Sequence, residues 1–456
     1  MEVLLYNNQP VKPRRRLAAT LAAATLFGTV LGVGTTAYAQ QAAPEVNLTP
    51  SPIQQLGQTL YNDGIYLNSR YLGEFAGSVS GGQRQGTDYA GELNFGATFD
   101  MEKLAGIKGG SFHVLFTQRH GNNLAAQTIN NSVSVQQIYG GGQTAQLTIF
   151  TYEQKLFDNM VDIEAGRTDM PDSFDVSSFY CDFQSNAICG NPPDMGKITT
   201  TNFYAVAVWG GRLLITPTPN LYLKVGAYQS TNNENPDAHH GFYWGTEGSN
   251  GYLLPVELGY KWKTPGAIAN NRYDIGAIFD RASYTAPYYG PGTYNNESAV
   301  YVQGQQMVYQ TSPNSPRGVY VFGEAMLGTA GGKQVSNLQA EAGMIWEGPF
   351  ASRPNDNIGL AVSGIHYNNR YLNSLYQTRL TEGGAGYPDH NLIMTELHYS
   401  WQANKWLNIM PNFQYIINPD GQGFSTYSTH NLPNAAVFGI QLYVDLPTLF
   451  GIPTKS

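Results

Sequence analysis

Ala436-Val437-Phe438-Gly439-Ile440-Gln441-Leu442-Tyr443-Val444-Asp445-Leu446 is the stretch whose reading decides the fold. Phe438, Ile440, Leu442, Val444 and Leu446 are apolar, while Gly439, Gln441, Tyr443 and Asp445 between them are small or polar. A period of two is that of a strand with one oily and one wet face. Because such segments recur about sixteen times, the economical architecture is an all-β, transmembrane antiparallel barrel of about 16 strands.

The expected strands run Ile65 to Gly77, Gly91 to Asp100, Ser111 to Arg119, Gln146 to Leu156, Val161 to Arg167, Phe203 to Thr216, Leu221 to Ser230 and Tyr252 to Trp262. They continue as Arg272 to Tyr284, Gln305 to Thr311, Gly318 to Leu327, Leu338 to Glu347, Ile358 to Asn368, Leu392 to Gln402, Leu407 to Ile417 and Ala436 to Leu446. Soluble sandwiches alternate too, so the connections supply the sharper test. Long ones, such as Gly121 to Ala145, Thr168 to Asn202 and Thr231 to Gly251, follow odd strands. Short ones, such as Asp158 to Met160, Pro217 to Asn220 and Ala403 to Trp406, follow even strands. A barrel with turns on one side of a membrane and loops on the other sorts them this way.

Composition agrees. The 456 residues are 42% hydrophobic but only 13% charged, half of what a soluble domain carries, with Tyr 31, Phe 20 and Gly 51. Past the N-terminus no apolar run is long enough to span as a helix. At the front, Lys12, Arg14, Arg15 and Arg16 precede the apolar Leu17 to Val33, and Ala37-Tyr38-Ala39 closes the pattern of an export signal. The expected organisation is therefore a signal peptide at 1–39, an N-terminal periplasmic segment at 40–62 and the barrel at 63–456. Within the segment, Ile53 to Asn62 reads either as a short helix or as an extension of the first strand. Removing four Lys/Arg and one Glu from a formal charge of −8 leaves −11, a poor match to nucleic-acid phosphates.

A barrel of this width keeps an aqueous lumen. If the aromatic-rich faces meet lipid, Arg70, Glu74, Glu92, His113, Arg119, Glu164, Lys224, Glu257, Lys261, Glu324, Glu341, Glu396 and His398 face water inside, with Arg167 at the root of the 168–202 loop. Charges of both signs suit a neutral, hydroxyl-rich solute better than an anion ladder would. The 168–202 loop is long enough to fold inward and narrow the lumen. Cys181 and Cys189, eight apart in an exported chain, read as one disulfide within it. His239 and His240 beside Asp237 and Glu234 form a weak metal motif, more economically a solvated loop; no metal and no cofactor is expected.

Several motifs resemble the carbohydrate-selective porins of the OprB type. They are Gly64-Ile-Tyr-Leu, Phe99-Asp-Met-Glu-Lys-Leu, Gly109-Gly-Ser-Phe and Tyr152-Glu-Gln-Lys-Leu-Phe-Asp, and above all Glu164-Ala-Gly-Arg167, Phe179-Tyr-Cys-Asp-Phe and Cys189-Gly-Asn-Pro. The resemblance implies an outer-membrane channel of a Gram-negative bacterium for passive diffusion of small sugars such as glucose, with a constriction at Arg119, Arg167, Glu92, Glu164, Glu153 and Trp209, joined by Arg70 and Glu74 from the lumen set. It also implies a monomer rather than a trimer. One departure is the tail: Pro447 and Thr448 to Ser456 follow the last strand, where such barrels usually end on an aromatic residue.

The alternatives are a general diffusion porin without sugar preference and a barrel hydrolase. The latter would need His398 and Ser400 as its pair, without a G-x-S-x-G elbow or an evident third group.

Overall fold

The computed structural model describes residues 50–189, 195–232, 236–295, 297–329, 333–423 and 426–455. The expected signal peptide at 1–39, and the 40–49 part of the N-terminal segment, lie outside these residues. Strands follow in chain order as β1 (Ile65–Ser80), β2 (Gly86–Asp100), β3 (Gly110–Gly121), β4 (Ala145–Leu156), β5 (Val161–Thr168), β6 (Val208–Ile215), β7 (Leu221–Thr231), β8 (Ser249–Trp262) and β9 (Asn271–Asp280). Then come β10 (Tyr284–Thr285), β11 (Thr293–Tyr294), β12 (Ser298–Gln310), β13 (Gly318–Gly328), β14 (Ser336–Glu347), β15 (Asn357–Tyr367), β16 (Asn391–Asn404), β17 (Leu407–Ile417), β18 (Gln422–Gly423), β19 (Thr426–Tyr427) and β20 (Ala435–Asp445). The pairs β10–β11 and β18–β19 are two-residue ribbons in loops; the other sixteen strands form one closed antiparallel barrel.

Closure is made by the decisive stretch itself. β20 pairs with β1 from Arg70↔Asp445 to Gly77↔Phe438, and with β17 on its other side. No strand edge is left open, so every backbone group in the wall has a partner without water, as a lipid environment demands. The two faces separate as the period required. Leu258, Tyr260, Leu397, Phe438 and Ile440 are exposed on the outside, while Glu257, Glu396, His398 and Gln414 are buried within.

Several expected boundaries move, β2 among them, which begins at Gly86 and not Gly91, and three of the moves have a clear physical reason. β6 starts at Val208, not Phe203, because Phe203 packs inside the barrel against Met170, Phe174, Met195 and Ile198. β12 starts at Ser298, not Gln305. Its inward Tyr301 is as apolar to the eye as the outward Val300 and Val302, so the period shows no contrast there. β9 ends at Asp280, whose carboxylate instead accepts from the backbone N–H of Thr200 (2.6 Å) and Ala282 (2.8 Å). At the front, Pro52–Asp63 is a helix, settled by a capping box in which Ser51 accepts from Gln54 N–H and Gln54 accepts from Ser51 N–H.

Two loops, not one, turn inward. Leu124, Ala125, Ile129, Val133 and Val135 of the 122–144 segment pack against Ile365, Met394, Ile416 and Val437 of the wall. Phe179, Tyr180, Phe183 and Ile188 of the 169–207 segment pack against Met307, Tyr320, Phe322, Ile345 and Ala361. The segments also join each other: Gln137 N–H donates to Gln184 O (2.9 Å) and Asn186 N–H to Ser134 O (3.0 Å). One side of the lumen, along β8 to β17, is thereby filled like a protein core.

Candidate functional site

Carboxylates on the inner wall hold the loops in place. Glu396 accepts from the backbone N–H of Gln184 (2.9 Å) and Ser185 (2.7 Å). Glu257 accepts from Asp175 N–H (3.2 Å), Tyr301 OH (2.7 Å) and Tyr222 OH (2.9 Å), with Lys224 Nζ at 2.6 Å. Charge-assisted bonds of this kind are about twice as strong as neutral ones and shield the buried charge. The disulfide forms between Cys181 and Cys189 and ties off the loop turn that they anchor. Within that loop Asp169 and Asp175 are fully buried, and burial pushes both carboxyls well above the ordinary range; the charges of Asp172 and Glu257, respectively, add to it.

On the other side the loops touch the wall at few points and leave a cavity of about 1220 Å³. Two charge clusters line it. In the first, Arg119 binds Glu92 at 2.8 Å, Arg70 lies 3.4 Å from the same carboxylate, and Arg119 Nη1 donates to Gly140 O (2.8 Å) and Tyr204 O (3.3 Å) of the inward loops. The Tyr204 ring covers the guanidinium at 5.2 Å. Register produces the second cluster, since Glu153, Glu164 and Arg212 are direct neighbours across β4, β5 and β6. Arg212 reaches Glu153 (3.2 Å), Glu164 (3.1 Å) and Asp162 (3.3 Å), while His113 and Lys155 approach Glu153 at 3.6 and 3.2 Å. Tyr139 and Tyr443 add aromatic surface to the same lining.

The cavity thus brings together Arg70, Glu92, Arg119, Glu153 and Glu164 from the expected set. It does not include three others. Glu74 is fully buried beneath the 122–144 loop and accepts from Ile138 N–H (3.4 Å). Arg167 and Trp209 are paired across β5 and β6 on the outward face, together with the outward Phe150. There the Arg167 guanidinium donates to Ala207 O (2.6 Å) and lies beneath the rings of Trp209 (5.8 Å) and Trp244 (6.0 Å). The cause is parity: Glu164 points inward, so Arg167, three residues on, points outward. The same count identifies Arg212, which sequence reasoning passed over although it opposes Glu164 on the neighbouring strand.

The remaining motifs are accounted for structurally. His398 is sealed against the Phe183 ring at 4.7 Å, and Ser400 accepts from Asn408 (2.8 Å), so neither offers a nucleophile to the outer wall. His239 stacks on Tyr243 (4.9 Å) and His240 meets Ala145 O (2.9 Å); Glu234 lies outside the described residues. Among the described residues no group of three side chains is placed to hold a metal.

The family model for carbohydrate-selective porins of the OprB family matches residues 84–446. The chain belongs to that family. Porin B of Pseudomonas aeruginosa is 29% identical over 475 aligned positions, covering 96% of this chain and 99% of the relative. Putative porin QuiX of Acinetobacter baylyi is 28% identical, covering 80% and 87%. The high-pH structure of Pseudomonas putida OprB superposes with a TM-score of 0.76 at 27% identity, over 85% of this chain and 95% of that one. An OprB-family porin is a passive channel of the Gram-negative outer membrane rather than an enzyme, and the closed barrel with its oily outer face is the form such a channel takes.

Proposed function

We propose that small neutral sugars such as glucose diffuse through the cavity bounded by β1 to β7 and the two inward loops, in preference to other solutes of similar size. The observation that carries this reading is the pair of mixed charge clusters that line one cavity. Arginine supplies planar donors, carboxylates accept from hydroxyls, and Tyr139, Tyr204 and Tyr443 offer ring faces to the apolar side of a pyranose. Arg70, Glu92, Arg119, Glu153, Glu164 and Arg212 are the contacts in this reading. The conduit lies within a single chain, so a monomer suffices, and we take residues 1–39 to be removed on export.

Conductance of the purified porin in planar bilayers, titrated with glucose, tests the proposal. A saturable block that Arg119→Ala weakens supports it. A current indifferent to glucose would leave a general diffusion pore. Light scattering in detergent and N-terminal sequencing of the mature protein check the other two points.

A further inference from the structure

The family match ends at residue 446, and the tail beyond it folds back rather than trailing away. Asp445 caps the short helix Leu446–Leu449 by accepting from Thr448 N–H (2.7 Å), and Ile452 N–H donates to Pro447 O (2.8 Å). Ile452 seats on the N-terminal helix at Gly57, where a Cβ would stand only 2.7 Å from its Cγ2. The tail then runs under the start of β1. There Lys455 Nζ lies 4.6 Å above the Tyr66 ring and 3.9 Å from Asp100, itself held by Tyr66 OH at 3.1 Å. Pro447, Thr454 and Lys455 line the same cavity as Arg70 and Asp445. This end carries the short turns and is the periplasmic one.

We infer that Lys455 is a selectivity residue of the conduit: the tail places its ammonium beside the solute path at the periplasmic exit, where it favours anionic and neutral hydroxylated solutes over cations. Asp100 and Asp445 each keep a full negative charge while capping a short helix, so Lys455 is the charge that offsets them at this mouth. Arg70, 45% exposed by side chain, adds a second positive charge on the same path. A charge of one sign in a narrow, low-dielectric mouth sets the local counter-ion concentration. This inference rests on the path proposed above.

The test is the reversal potential of single channels across a KCl gradient. In Lys455→Glu the cation-to-anion permeability ratio is expected to rise by about fourfold, and in Lys455→Gln by about twofold, the scale of two and of one unit charge acting across about 10 Å of water. The control is Lys405→Glu, the same change on an exposed turn at the same end that does not line the cavity. An unchanged ratio in Lys455→Glu overturns the inference, as does an equal shift in Lys405→Glu, which would assign the effect to general surface charge. Failure of the path itself would show separately, as Arg119→Ala leaving conductance unchanged.

Discussion

Arg119 Nε and Nη2 both lie 2.8 Å from one oxygen of Glu92, whose side chain is 1% exposed. The pair ties β2 to β3 and, through Gly140 and Tyr204, ties both inward loops to the wall. Arg119→Ala therefore removes a bolt as well as a charge. It leaves Glu92 with Arg70 at 3.4 Å, and breaking a buried pair costs about 3–5 kcal/mol. Conductance is expected to rise and the heat-induced unfolding midpoint in detergent to fall. Arg119→Lys should restore the charge but not the fork, giving an intermediate result; full recovery by lysine would refute the geometric role.

Arg167→Ala is expected to behave differently. Its guanidinium sits on the outward face under Trp209 and Trp244, so the variant should keep single-channel conductance and glucose block while losing about 2 kcal/mol of stability, the scale of a desolvated cation–π contact. Trp209→Ala should show the same pattern. A changed sugar block without a stability loss in either would place these residues in the path after all.

Removing the disulfide by Cys181→Ser with Cys189→Ser should loosen the segment that presents Tyr180, Phe183 and Ile188 to the wall. For a closed loop this short the chain-entropy scale is about 2–3 kcal/mol. Faster trypsin cleavage within 169–207 and noisier open-channel current are the expected readouts. Identical cleavage with and without reductant would refute it.

Asp175 gives the docked loop a pH dependence. Its folded-state carboxyl is raised by burial and by Glu257, and Arg272 and Lys224 oppose the shift in part. A carboxyl raised in the folded state contributes its stability at low pH and loses it as pH climbs through the raised value. Between the ordinary carboxylate range and the raised value each unit costs about 1.4 kcal/mol, and above the raised value the loss is complete. Unfolding midpoints should therefore decline as pH rises from the ordinary carboxylate range to the raised value and level off above it, and Asp175→Asn should flatten the decline. An unchanged slope in the variant would mean that other groups carry it.

Much of this molecule was legible because lipid and water impose opposite demands on alternate residues. Sixteen strands, their closure and the sorting of loops by parity follow from that alone. The last strand, with Phe438 and Ile440 outside and Gln441 inside, stands where its period put it. What the period could not show is what lies against the inner face. Glu257 and Glu396 read as wetted charges, yet they bind loop backbone, and their partners are 82 and 211 to 212 residues away in sequence. The second inward loop was signalled by Leu124, Ile129, Val133 and Val135, which have no reason to stand in water. Arg167 was misplaced because a motif was followed where a count of residues along β5 was needed. Among the site residues assigned inward by parity, Arg119 and Glu92 fell on the cavity, whereas Glu74, equally inward, was covered by the 122–144 loop.

The two loops that fill one flank of the barrel also set how the opening can fluctuate. A flank packed as tightly as a globular interior resists deformation, so breathing of the wall is expected mainly on the opposite side, along short β5 and β6. On the proposed path the opening would then have one firm flank and one more compliant one, and solutes would be sized against an asymmetric aperture instead of a symmetric ring.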